Sequence, residues 1–231
     1  GERAMPLAPN MDEQVMREHW ARYRYSEPLI KGKNVLDVAC GSGYGSNLLA
    51  QTAKTIVGGD IEKETIEYCK EKYQRDNLTF EIMDIRKIPY PDDSFDTIVS
   101  FETIEHIKEW EQFLKEIRRL VVKDGNLIIS TPLGGPCGNH FHLSYFQRED
   151  FKKILTKYFK NVNIIYQRDD EFYENSISPL FAETFTGEYA FAVCSKPIKV
   201  KKENLIKKEL LFTGERAMPL APNMDEQVMR E

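Results

Sequence analysis

No apolar run in this 231-residue chain comes near the length of a membrane-spanning helix, about 18 residues. Cysteine is scarce. Cys40, Cys69, Cys137 and Cys194 include no C-x-x-C pair, which removes the common zinc and redox motifs. Four thiols are too few for a disulfide scaffold, so reduced cysteines are expected. The first ten residues lack the apolar core of a signal peptide, and the expected compartment is the cytoplasm. An excess of positive charge is missing too. Thirty-two Lys and Arg face 37 Asp and Glu, a formal net charge of -5. That argues against a general nucleic-acid binder, although it leaves room for a local basic groove. What is present is a globular composition, 41% hydrophobic, 30% charged and 11% aromatic, sized for one large domain or two small ones.

The two ends are identical: residues 1–18 and 214–231 both read GERAMPLAPNMDEQVMRE. A single repeat is not a solenoid. An assembly artefact, a truncated second tandem copy and a terminal graft all produce it. The stretch before the second copy, KPIKVKKENLIKKELLFT, reads as a linker whose lysines form a solvated face. The expected organisation is a helical lid segment at 1–33, the main domain at 34–197, and a Lys-rich linker with the repeat at 198–231.

Between the repeats, strand-like and helix-like stretches alternate. Strands are expected at 34–40 (NVLDVAC), 55–61, 78–85, 95–101 and 126–131, where Pro132 stops the fifth. Helices are expected at 45–53, 62–75 and 109–121, with a turn at Lys123-Asp124-Gly125. A glycine-rich loop, a helix at 147–158, and two late strands at 162–167 and 189–195 follow. The late pair reads as an antiparallel hairpin at a sheet edge. This alternation predicts a doubly wound α/β sheet.

The segment DVACGSGYG follows the first strand and opens a helix, the place where such sheets bind ligands. Gly41 and Gly43 let the backbone turn sharply and approach a ligand closely. Asp60 ends the second strand, where a carboxylate can accept both hydroxyls of a ribose. NAD and S-adenosylmethionine both carry one. The spacing G-x-G-x-G departs from the dinucleotide G-x-G-x-x-G. Asp37, before the glycines, suits an ammonium better than a pyrophosphate. Asp84, ending the third strand, can accept from an adenine amino group.

The runs VLDVACGSGYG, GGDI and MDIRKIPYPDDSFDTIVSFETIEHI, in that order, resemble the class I S-adenosylmethionine-dependent methyltransferases over residues 34–195. The resemblance implies a Rossmann-like sheet of seven strands, mostly parallel with an antiparallel last strand. It implies S-adenosyl-L-methionine as cofactor and S-adenosyl-L-homocysteine as product. Asp37, Ala39, Gly41 and Gly43 then line the methionine part. Asp60 and Ile61 hold ribose and adenine, Asp84 and Ile85 flank the adenine, and Phe101 and Glu102 close the site. Arg22 or Tyr23 caps the cofactor carboxylate, and Asp96 is a structural carboxylate. The N-terminal stretch is similar to a bacterial subgroup associated with glycan and nucleotide-sugar biosynthesis, which implies a small-molecule acceptor such as a sugar.

Methyl transfer rests largely on alignment, with a base wherever the acceptor must lose a proton. The candidate bases are His106, His140 and His142, with the fourth histidine, His19, in the N-terminal segment. Glu102, Glu105, His106 and His142 also match the ligand types of metal-dependent RNA 3′-terminal 2′-O-methyltransferases. The metal-free reading is preferred here. A non-catalytic module on the same fold is the reading from another class. Exchange of the terminal repeat between protomers offers a route to a homo-oligomer.

Overall fold

The computed structural model describes residues 13–136, 139–175 and 185–199. Beyond Ile198 and Lys199, the linker and second repeat lie outside the described residues, as do Cys137 and 1–12 of the first repeat. The chain runs α1 (Glu13–Ile30), β1 (Asn34–Val38), α2 (Tyr44–Leu49), β2 (Thr55–Asp60), α3 (Lys63–Lys72), β3 (Leu78–Ile82) and β4 (Phe95–Ser100). A short 3-10 turn (Ile104–His106), α4 (Trp110–Leu120), β5 (Val121–Gly134), α5 (Arg148–Leu155), β6 (Phe159–Arg168), β7 (Glu171–Tyr173) and β8 (Phe185–Pro197) complete it.

The strands form one sheet in the order β3-β2-β1-β4-β5-β8-β6-β7. β1 pairs in parallel with both β2 and β4, so the strand order reverses there. In such a sheet the crevice at the reversal point takes the ligand. Successive side chains leave a strand on opposite faces. Leu36, Ile98 and Leu127 therefore enter one core, under α4 and α5, while Val35, Val99 and Ile128 enter the other, with Tyr23, Leu49 and Ile66. Burial on both faces explains why the central strands read as continuous apolar runs rather than as alternation. α4 presents Phe113, Leu114, Ile117 and Leu120, all fully buried, at helical spacing.

Four local expectations change. The sheet has eight strands rather than seven. The added β7 pairs with the end of β6 across a turn in which Asp169 takes φ 54°; three residues of an acidic stretch carry no periodic signal. β6 and β8 do pair antiparallel, but β8 lies inside the sheet between β5 and β6, and β7 is the edge. Lys123-Asp124-Gly125 belong to β5, where the ladder with β4 jumps from Phe95↔Val121 to Thr97↔Asn126. The expected turn is thus a bulge. Pro132 does not end β5 either. It stands opposite Tyr189 beside a second register shift, a position where a missing N–H is tolerated.

Candidate active site

A cavity of about 580 Å³ opens at the carboxyl edge of the sheet beside the β1/β4 reversal. The turn after β1 forms its floor. Gly41 has φ +54°, and a side chain built there would meet nothing within 4 Å, so bare backbone faces the cavity. The Gly41 N–H donates to Asp60 Oδ2 at 3.1 Å, and the Glu62 N–H donates to Asp60 Oδ1 at 3.1 Å. Asp60 thus braces the loop while its carboxylate stands at the cavity wall. Gly43 (φ +75°) serves packing: a Cβ there would come within 2.7 Å of Cys69 Sγ and 2.9 Å of the Phe80 ring. Ala39 (φ 56°) and Glu102 (φ 48°) are non-glycine residues in the left-handed region, and both line the cavity. Such strain persists where surrounding structure enforces it, commonly at functional sites.

Of the expected cofactor residues, Tyr23, Ala39, Gly41, Asp60, Ile61, Asp84, Ile85, Phe101 and Glu102 line the cavity. Asp37 and Gly43 do not. Asp37 is 1% exposed beneath the loop, accepting from Ser46 Oγ at 2.6 Å and from Tyr23 OH at 3.4 Å. Burial raises its pKa to about 7 against the Ser46 and Tyr23 bonds, and the charge of Asp60 adds to the rise. Asp84 reaches the cavity, but both its oxygens accept from Arg86, which lowers its pKa. Arg22 and Tyr23 also part ways. Tyr23 lines the cavity, whereas Arg22 is fully buried away from it. The Arg22 Nε donates to Gln167 Oε1 at 2.6 Å, Nη1 lies 3.7 Å from Glu102, and the guanidinium sits 4.2 Å from the Tyr189 ring centre. Asp96 accepts the Asn34 N–H at 2.8 Å, at the start of β1 and away from the cavity, as a structural carboxylate does.

Sequence reasoning missed His19, Ser42, Tyr44, Arg86 and Lys108, which also line the cavity. His19 Nδ1 lies 2.8 Å from Tyr44 OH, and burial, aided by Arg22, drives its pKa down to about 3. Its place on the aromatic face of α1 was the one available signal.

At the far end of the cavity stand His106 and His140. His106 Nδ1 lies 3.0 Å from the Phe141 carbonyl. A carbonyl only accepts, which assigns the proton to Nδ1 and leaves Nε2 as the basic nitrogen of the neutral ring. The His142 ring meets His106 edge-on, 4.8 Å between centres. Among the described residues, ligand atoms of Glu105, His106 and His142 all lie within 4.8 Å of one another. Glu105 is 1% exposed, its Oε2 accepts from Thr131 at 3.1 Å, and burial raises its pKa well above the usual range, with Glu102 as second cause. Glu102 turns away from this group, accepting from Ser130 Oγ at 2.6 Å.

The sequence profile of the methyltransferase domain matches residues 36–129. A protein described as a probable S-adenosylmethionine-dependent methyltransferase of Mycolicibacterium smegmatis is 31% identical over 132 residues, 57% of this chain and 50% of that protein. A ubiquinone biosynthesis O-methyltransferase of Coxiella burnetii is 32% identical over 114 residues, 48% of this chain and 49% of that protein. The chain therefore spans about half the length of the curated relatives it matches. In fold it is similar to the N-methyltransferase NodS from Bradyrhizobium japonicum, solved with S-adenosyl-L-homocysteine. The TM-score is 0.64 at 17% identity, over 83% of this chain and 92% of that one. The sheet order, the cavity at its reversal point and these matches agree: residues 36–129 match the methyltransferase domain, and the chain is similar in sequence and fold to S-adenosylmethionine-dependent methyltransferases.

Proposed function

We propose that this protein transfers a methyl group from S-adenosylmethionine to a small-molecule acceptor. The observation that carries the reading is the bare Gly41 backbone with the Asp60 carboxylate at one cavity wall, 19 positions apart in sequence and hydrogen-bonded in space. The cofactor, when bound, supplies an activated methyl on a sulfonium whose departure needs no proton. The chain's own residues do the rest. Asp60 accepts ribose hydroxyls, Ile61 and Ile85 flank the adenine, and Phe101 and Glu102 close the far side. His106 Nε2 takes a proton from the acceptor, held in register by the Phe141 carbonyl. His140, exposed on the same cavity's rim, is a second candidate for that step. The α1 segment walls the cavity with His19 and Tyr23, which supports its reading as a lid. A sugar or nucleotide sugar, suggested by the N-terminal likeness, is one member of the acceptor class. Calorimetry with S-adenosylhomocysteine tests the reading: wild type that binds none of it at high protein concentration refutes it.

A second reading of the acceptor end is favoured by one observation: the buried Oε1 of Glu105 has no hydrogen-bond partner and lies near two imidazoles. One carboxylate and two imidazoles suit a borderline divalent ion, which would orient an acceptor hydroxyl. Glu105, His106 and His142 would hold it. Glu102, a fourth ligand in the RNA 2′-O-methylation reading, is committed to Ser130 and Arg22 instead. Full activity in millimolar EDTA removes this reading and leaves the first.

A further inference from the structure

The loop from Asn139 to Phe146 holds large apolar side chains in water. Phe141 is 56% exposed, Leu143 60% and Tyr145 44%, while Phe146 is buried against Trp110 and Phe151. Alternation explains the pattern: every second residue points out, and His142, Ser144 and Phe146 turn inward. The loop is also fixed. The N–H groups of Leu143 and Ser144 both donate to the Glu105 carbonyl, at 2.7 and 3.0 Å. His106 Nδ1 donates to the Phe141 carbonyl, and the Gly134 N–H donates to the Phe146 carbonyl at 3.0 Å. These bonds keep the three apolar groups outward rather than letting them fold into the core. A contiguous exposed apolar patch in a soluble domain marks a binding surface.

The patch is continuous with the cavity. Phe141 and Leu143 form part of its wall, and the Phe141 carbonyl contacts His106. The same cavity carries the charged groups of Asp60, Asp84 and Arg86, and of Lys108 and Glu109 after Ile107. Asp60 and Asp84 suit the nucleoside, and the apolar lip of Phe141 and Leu143 suits the acceptor. We propose that Phe141, Leu143 and Tyr145 seat the hydrocarbon part of an amphiphilic acceptor, a molecule with a nucleophilic head at His106 and an apolar chain leaving along this lip. The inference rests on the methyl-transfer reading and specifies its acceptor class.

The test is calorimetric titration of the full-length protein, saturated with S-adenosylhomocysteine, with 1-butanol, 1-hexanol, 1-octanol and 1-decanol. Affinity is expected to rise about two- to fourfold per methylene as each is removed from water. The double variant Phe141→Ser, Leu143→Ser should lose most of that dependence while binding S-adenosylhomocysteine as before, and Leu143→Met should retain it. Affinity independent of chain length in wild type overturns the proposal. So does an equal slope in the double variant. A dimer in light scattering that the double variant dissolves, or flotation with phosphatidylcholine vesicles that it abolishes, assigns the lip to another occupant and also overturns it. Absence of S-adenosylhomocysteine binding fails the methyl-transfer reading itself, an outcome distinct from all of these.

Discussion

The ring of Tyr23 lies directly on the bare Cα of Gly45: a Cβ at that position would fall 1.9 Å from Tyr23 Cζ. The third glycine of the G-x-G-x-G run thus serves the seating of α1 on α2 rather than the ligand. Tyr23 packs on edge against Phe101 and Tyr44, 4.9 and 5.7 Å between ring centres, so the contact sets one wall of the cavity.

Gly45→Ala should therefore destabilise the protein by about 1–3 kcal/mol, the usual cost of overpacking a full core. In a Tyr23→Ala background the added methyl finds space, and the penalty should largely vanish. Chemical denaturation of the four members of this cycle reads the coupling. Equal penalties in both backgrounds would show that the two residues do not share the contact.

Asp60→Ala should weaken S-adenosylhomocysteine binding by about 1.5–3 kcal/mol, because ribose hydroxyls and the Gly41 N–H lose a charged acceptor together. Calorimetry checks it. An unchanged dissociation constant would remove Asp60 from the site.

Asp96→Ala should behave in the opposite way. Its carboxylate holds the first amide of β1 and lies away from the cavity. Loss of about 1–2 kcal/mol of stability with unchanged S-adenosylhomocysteine affinity is expected, from paired denaturation and calorimetry. A larger effect on affinity than on stability would contradict a structural role.

The pH dependence of stability has two opposed parts. Asp37 has a pKa of about 7 in the fold and an ordinary value of 3.8, so the folded state holds its proton longer. Its contribution is full below pH 4 and is lost as pH rises through about 7. His19 has a pKa of about 3 against an ordinary 6.5, so the unfolded state takes the proton first. Its contribution is full above pH 6.5 and is lost as pH falls towards 3. Asp37→Asn should thus gain stability relative to wild type as pH rises from 4 to 7. His19→Gln should gain relative to wild type as pH falls from 6.5 to 4. Thermal unfolding at a series of pH values reads both slopes, and parallel curves for variant and wild type would contradict the assignment.

Removing residues 1–18 takes away the first turns of α1 and the Gln14–Asp169 contact, while His19 and Tyr23 remain. The shortened protein should unfold cooperatively yet bind S-adenosylhomocysteine more weakly, by less than Asp60→Ala does. Unchanged affinity and turnover would count against the lid.

The sequence by itself determined the doubly wound, mostly parallel sheet and the glycine turn; the strand order came from the fold. Buried parallel strands and amphipathic helices are local patterns, and VLDVACGSGYG with Asp60 at the next strand end is a local signature of a nucleoside site. It also determined the family resemblance, and most of the cofactor residues read from it line the cavity. Only the tertiary structure decided what depends on packing between distant segments. Asp37 is sealed under Tyr23, Arg22 is drawn to Gln167 from 145 positions away, and Asp84 is taken by Arg86. It also decided that β8 enters the middle of the sheet and that three residues after Asp169 add an eighth strand. Glu102, Glu105, His106 and His142 were grouped by type along the chain; the fold brought the last three together, turned Glu102 to Ser130, and set the apolar lip beside them. In each case residue type is visible along the chain. The burial, orientation and hydrogen-bond partners that give it a role come from elements that the sequence separates and the fold brings together.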